Sequence, residues 1–199
     1  MLKPRVIIAI AVAGLSMGAT ACSDNGGTVH TGTELLPALL SVSDMPTQIA
    51  SQPVEWNENM RKVIAAPTAP WENTLDPYLC SEAGTPAALT KEQAQLELTG
   101  GSVMEILLSD SKSADLYKEL KDAYGKCTGT TTPAYTALTG ATEVGDESAS
   151  YKSTQGVVTI ARFGKDIMIL KWWVGSFYDQ AASYYPGIVT KAADKVEAL

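Results

Sequence analysis

Residues 157–174 read VVTIARF-GK-DIMILKWWV, two β-branched and aromatic runs joined by Gly164-Lys165. Side chains alternate across a strand, and a two-residue link containing glycine sets a hairpin register. With Gly164-Lys165 as the turn, Val158, Ile160, Arg162, Ile167, Ile169, Lys171 and Trp173 share one face. Val157, Thr159, Ala161, Phe163, Met168, Leu170 and Trp172 share the other, with Asp166 at its turn end. Both faces are mostly apolar, so both should be covered, as in a sheet with structure on each side. The second face lacks a basic residue and makes the better core. The first, with Arg162 and Lys171 among apolar neighbours, makes the better cleft wall. Trp173 there either floors a cleft or packs under a loop, packing being the commoner outcome for an indole.

Working outward, Ala94 to Leu98 alternates, Gly100-Gly101 turns the chain, and Val103 to Leu108 follows, which predicts a second hairpin. Tyr135 to Leu138 and Ser148 to Ser153 are further expected strands. Ala114, Tyr117, Leu120 and Tyr124 form a helical stripe, with Gly125 as the expected C-cap and Cys127 just beyond. After Pro186, Val189, Ala192, Val196 and Leu199 fall on one face of a closing helix. Tyr184 and Tyr185, ahead of Pro186, read as a helix-entry staple. Leu35, Leu36, Leu39 and Leu40 suggest a short helix that Pro46 stops, and Asp76-Pro77 opens another that carries Cys80. The stretch from Gln48 to Trp71 shows no clean period. The sum is an α+β fold, an antiparallel sheet of about six strands with flanking helices and room for a central cleft.

The chain begins with Lys3 and Arg5, a short apolar run from Val6 to Ala13, and mostly small residues up to Ala19-Thr20-Ala21-Cys22. That order is a signal peptide over residues 1–21. Ala19-Thr20-Ala21-Cys22 resembles the bacterial lipobox, although Ala19 stands where many lipoboxes carry leucine. Lipidation of Cys22 by diacylglycerol is therefore expected, the alternative being an ordinary secretion site that leaves Cys22 unmodified. Two acyl chains anchor a protein stably. Residues 22–33 read as a tether rich in Asp, Asn, Gly and Thr that carries the single histidine, His30. Residues 34–199, about 165 in number, make one domain. The expected address is the outer face of the cytoplasmic membrane.

With Cys22 assigned to lipid, Cys80 and Cys127 remain for a disulfide in an oxidising compartment, the alternative being two unpaired buried thiols. Of 15 basic residues the signal removes Lys3 and Arg5, leaving 13 against 22 acidic ones, a net charge of −9. Such a domain offers no basic stripe to nucleic acid and is repelled by an anionic membrane.

Taken together, the lipobox, the helix exit Leu39-Leu40 to Asp44-Met45-Pro46, the unit from Met104 to Cys127, the turn Gly145-Asp146-Glu147-Ser148 and the final hairpin with its helix resemble a known family. It comprises actinobacterial lipoproteins similar to the extracellular sensor domain of the mycobacterial receptor kinase PknH. The resemblance covers most of the mature chain and rests on order and spacing. It implies an antiparallel sheet, flanking helices and a ligand-receiving cleft. The PknH-type domain carries two disulfides where this chain has cysteines for one, so the resemblance extends to the fold core and not to the cleft's rim. No kinase follows in this chain, so signalling through a fused catalytic domain is not expected.

Nucleophilic catalysis needs a base that titrates near neutrality, and His30 lies in the expected tether. No zinc ligand set and no phosphate-binding glycine loop is present in the sequence, and no cofactor is expected. Glu143, Asp146 and Glu147 are the candidates for a carboxylate hydrolase of cell-wall glycans, but Gly-Asp-Glu-Ser is also what a surface turn looks like. The expected function is non-catalytic binding of a small amphiphilic or cell-wall-derived ligand, with Arg162, Ile169, Lys171 and Trp173 at the site. The alternative is a protein-interaction or structural envelope lipoprotein without a pocket.

Overall fold

The computed structural model describes residues 27–49, 51–65, 86–99, 103–128, 134–154, 156–173 and 182–199. The central hairpin takes the expected register. Phe163 pairs with Asp166, Ile160 with Ile169 and Val158 with Lys171, joining β8 (Gly156–Phe163) to β9 (Asp166–Trp173). Gly164 sits at φ +60°, the first central position of a II′ turn, where glycine alone is free of strain.

Around this hairpin the sheet grows in both directions. One side adds β5 (Val103–Ser109), β4 (Gln93–Thr99) and β3 (Asn57–Ile64); the other adds β7 (Glu147–Lys152) and β6 (Thr136–Ala137). The spatial order is β3-β4-β5-β9-β8-β7-β6, with every neighbouring pair antiparallel. A separate two-stranded ribbon is formed by β1 (Gln48–Ile49) and β2 (Gln52–Pro53). Three helices complete the described elements: α1 (Gly32–Leu35), α2 (Ser113–Lys126) and α3 (Tyr185–Glu197). The fold is α+β with an antiparallel sheet, as the pattern implied.

Each sheet face carries its own core. The face of Val158, Ile160, Ile167 and Ile169 is covered by Leu116, Tyr117, Leu120 and Tyr124 of α2 and by Leu89. The opposite face, with Val157, Ala161, Met168, Leu170 and Trp172, is covered by Leu35, Leu39 and Leu40 and by Ile188, Val189, Ala192 and Val196 of α3. Burying an aliphatic side chain of this size contributes about 1.5–3 kcal/mol, so two such cores hold the sheet from both sides.

Several local expectations need revision. The helix expected across Leu35–Leu40 stops as an α-helix at Leu35 and continues as a 3-10 turn over Leu36–Ala38. Leu39 is extended, yet it stays buried with Leu40. Gly125 lies inside α2, whose C-cap is Cys127, and Ala114 is exposed while Leu116 and Ala123 are buried. In the closing helix Leu199 is 46% exposed and contributes nothing to the stripe. Tyr185 is a buried pin more than a staple. Its hydroxyl meets the Leu170 carbonyl at 3.0 Å and Thr159 Oγ1 at 2.9 Å, and its ring lies 6.1 Å from that of Trp172. Residues expected in the tether pack on the domain from Gly27 onward, and His30 Nδ1 lies 3.0 Å from Asp166 Oδ2. The helix expected at Asp76-Pro77 falls outside the described residues.

Candidate functional site

Strand β9 aims Ile167, Ile169, Lys171 and Trp173 at the α2 side, and register sets their neighbours. Lys171 lies between Met104 of β5 and Val158 of β8, toward the strand end remote from the Gly164-Lys165 turn. Helix α2 runs toward that same end and delivers Tyr124 and Cys127. The chain then returns through Tyr135, whose amide donates to the Cys127 carbonyl. Cys127 is fully buried and disulfide-bonded; Cys22 and Cys80, the other two cysteines, both lie outside the described residues.

These elements put a cation among aromatic rings. Lys171 is 2% exposed. Its Nζ donates to Tyr135 Oη at 3.2 Å and lies 4.6 Å from the centre of the Trp173 ring, the approach at which a ring face attracts an ammonium. Tyr135 meets Tyr124 edge-on at 5.1 Å, and Tyr124 stacks on Tyr151 at 5.4 Å. Burial pulls the Lys171 ammonium down to about 7 and pushes the Tyr135 phenol up to about 12, the latter against a hydrogen bond with Ser153. At neutral pH the lysine is therefore divided between charged and neutral forms, and a nearby anion would hold it charged. Trp173 is the half-buried member of the group.

Of the four residues expected at the site, the structure brings Lys171 and Trp173 together. Ile169 is fully buried one step along β9, between Ile106 and Ile160. Arg162 is at the other end of the hairpin. Its Nε donates to Glu147 Oε2 at 2.8 Å and its Nη1 lies 3.2 Å from Asp146 Oδ2. A charged group on an apolar strand face needs a partner; Arg162 finds two carboxylates, and Lys171 finds a phenol and an indole. Tyr124, Tyr135, Tyr151 and Ser153 were not among the expected site residues: Tyr124 was expected in the helical stripe, Tyr135 at the start of one strand, and Tyr151 and Ser153 within another. Nothing local signals that they come together.

Of the turn expected over Gly145 to Ser148, Gly145 and Asp146 form the bend, while Glu147 and Ser148 already belong to β7. Asp146 Oδ2 accepts from Gly164 N at 2.7 Å, Ser148 Oγ accepts from Val144 N at 3.2 Å, and Gly145 has φ +64°. A shallow depression of about 310 Å³ lies beside it, lined by Tyr117, Lys121, Glu143, Asp146 and Glu147 among others. Two of its three carboxylates are engaged by one guanidinium.

On the opposite sheet face a second ionisable group is buried. Glu105 of β5 pairs in register with Leu170 and is fully buried. Its Oε2 accepts from Leu40 N at 2.6 Å, while Oε1 is buried with no hydrogen-bond partner among the described residues. Burial pushes the carboxyl up to about 8, so it is mostly protonated at neutral pH. The Leu39-Leu40 strap above it is held from outside: Arg61 donates to the Leu36 and Leu40 carbonyls, and Lys195 donates to Leu39 O at 3.1 Å and pairs with Asp44 at 2.8 Å. No family model, curated protein or solved structure matches the chain.

Proposed function

We propose that this chain is an extracytoplasmic lipoprotein, anchored through Cys22, whose domain binds a small amphiphilic or cell-wall-derived ligand without catalysis, at the Lys171 end of the central hairpin. One observation carries the reading: a cation 2% exposed, between the Tyr135 hydroxyl at 3.2 Å and the Trp173 ring at 4.6 Å. Ligand sites combine apolar and aromatic walls with a few placed polar groups, and a lysine poised near neutrality gains its full charge when an anionic group approaches. The resemblance to PknH-type sensor domains points the same way, since that family implies a cleft beside an antiparallel sheet. Against the hydrolase reading, Asp146 and Glu147 are exposed on the surface and both are engaged by Arg162, at 3.2 and 2.8 Å.

Native mass spectrometry of the mature domain, purified without denaturation, tests the proposal. A retained mass is expected, with loss of that mass from Lys171→Met and from Trp173→Ala variants that keep the wild-type circular dichroism spectrum. A domain that carries no added mass but captures one envelope protein stoichiometrically favours the interaction lipoprotein instead. Intact mass of the membrane-fraction protein tests the anchor: the chain should begin at Cys22 carrying diacylglycerol, and a chain beginning at Ser23 or at unmodified Cys22 would refute it.

A further inference from the structure

The first described residues fix where the chain enters the domain. Gly27 lies against the β8–β9 turn, so that a Cβ added to it would sit 3.5 Å from Lys165 N. Three residues on, the His30 amide donates to Ser109 Oγ at 3.0 Å, at the end of β5, and its ring meets Asp166, at the start of β9. Gly32 N then donates to Glu92 Oε1 at 2.6 Å, just ahead of β4. All of these contacts lie at one pole of the sheet. The other pole, an eight-residue strand away at ~3.3 Å per residue, or roughly 25 Å, holds Lys171, Trp173, Tyr135 and Cys127.

We propose that the pole formed by the Gly164-Lys165 turn, the Asp110 to Lys112 connection and the His30 arm is the surface that faces the lipid bilayer, with the Lys171 end turned outward. This rests on the reading of Cys22 as the lipid anchor. From Cys22 to Gly27 the chain advances five residues, which span at most about 18 Å in any conformation. That reach is shorter than the roughly 25 Å between the poles. The domain cannot rest on its Lys171 end with Gly27 still within reach of the anchor.

Ion pairing tempers the acidity of this pole. The mature chain is strongly acidic, and some of the acids at this pole hold basic partners: Asp110 pairs with Lys91 at 2.9 Å, and Asp146 and Glu147 with Arg162 at 3.2 and 2.8 Å, while Glu92 and Glu34 accept from the Gly32 and Thr31 amides. Exposed Lys112 stands beside them. Those pairs lessen, at this pole, the repulsion that the chain's net negative charge brings against an anionic leaflet. The placement also narrows the ligand class. A site whose lysine lies six residues from the turn, roughly 20 Å from the bilayer-facing pole, meets molecules arriving from the cell-wall side, so the ligand is a wall-derived or envelope-soluble anion in preference to a lipid drawn from the same leaflet.

Energy transfer tests the orientation. Lipidated, disulfide-intact chain is extracted from membranes as Lys112→Cys or Lys152→Cys, two exposed positions at opposite poles. Each is labelled with a donor dye and reconstituted into phosphatidylcholine–phosphatidylglycerol vesicles that contain a headgroup-labelled acceptor lipid. A greater loss of donor emission is expected at position 112 than at 152, and the difference should shrink when a flexible ten-residue Gly-Ser insert separates Cys22 from Gly27. Equal loss at the two positions, or greater loss at 152, overturns the orientation while leaving the anchor intact. A chain that fails to float with the vesicles overturns the anchor, and the orientation with it.

Discussion

Replacing Glu105 by glutamine should change how stability depends on pH far more than it changes the structure. The carboxyl is fully buried, and its value near 8 in the fold stands against about 4.5 for an exposed carboxyl. Burial is the largest cause; the Leu40 amide, Lys195 and Arg61 pull the other way. Between these two values the native protein binds a proton that the unfolded chain has lost, so stability falls as pH rises, by up to about 1.4 kcal/mol per unit. The stabilising contribution of the protonated form is complete below pH 4.5 and is lost as pH rises through 8. Integrated from pH 5 to pH 8, the wild type should lose roughly 3–4 kcal/mol through this one group, a large part of a small domain's stability. Glutamine keeps an oxygen for Leu40 N and does not titrate. Urea denaturation of both proteins at pH 5, 6.5 and 8, with the disulfide intact, should show the variant's advantage widening by that amount. An advantage that stays constant across the three values would mean that the carboxyl is not buried in its protonated form, and the reasoning would fail.

Lys171 should behave as the mirror image. Its folded value near 7 lies below the usual 10.5, so the wild type gains stability as pH rises between them, and the gap separating it from Lys171→Met should shift in the wild type's favour between pH 7 and pH 10 in paired urea titrations. Peptide mapping without reduction should join Cys127 to Cys80, and breaking a bridge across that span should cost roughly 4 kcal/mol in the chain-entropy model, read as a fall in Tm. Gly145→Ala should destabilise by about 1–3 kcal/mol, because φ is +64° there and the new Cβ would meet the Arg162 carbonyl and the Phe163 ring; a neutral result in thermal denaturation would contradict the turn geometry.

The two hairpins and the closing helix were legible because their apolar residues keep one period and their turns carry glycine. Strand β3 was not. Its sequence, NENMRKVI, places Arg61 where an aliphatic side chain would have completed the alternation, and that arginine instead holds the Leu36 and Leu40 carbonyls from the sheet edge. Leu39 and Leu40 satisfy a helical spacing and are buried, but the burial is achieved by an extended strap over Glu105, a long-range pairing that local spacing does not encode. The same holds for His30, whose partner Asp166 lies 136 residues away. At the site, the alternation of β9 placed Lys171 and Trp173 on one face, and the hairpin register placed Arg162 of β8 there too. Face does not give position along the strand or the partner across a loop, so Arg162's carboxylates and Lys171's aromatic surroundings emerged from tertiary structure alone.

The central claim, that a ligand occupies the Lys171 end of the sheet, is tested most directly by amide and methyl NMR spectra of the mature domain as purified and after organic extraction. The account predicts shifts that concentrate on Met104, Tyr135, Ser153, Lys171 and Trp173, with the Gly145 to Ser148 turn unchanged. Shifts confined to Glu143 through Ser148, or spectra that are identical before and after extraction from a domain shown to have released a bound mass, would contradict it.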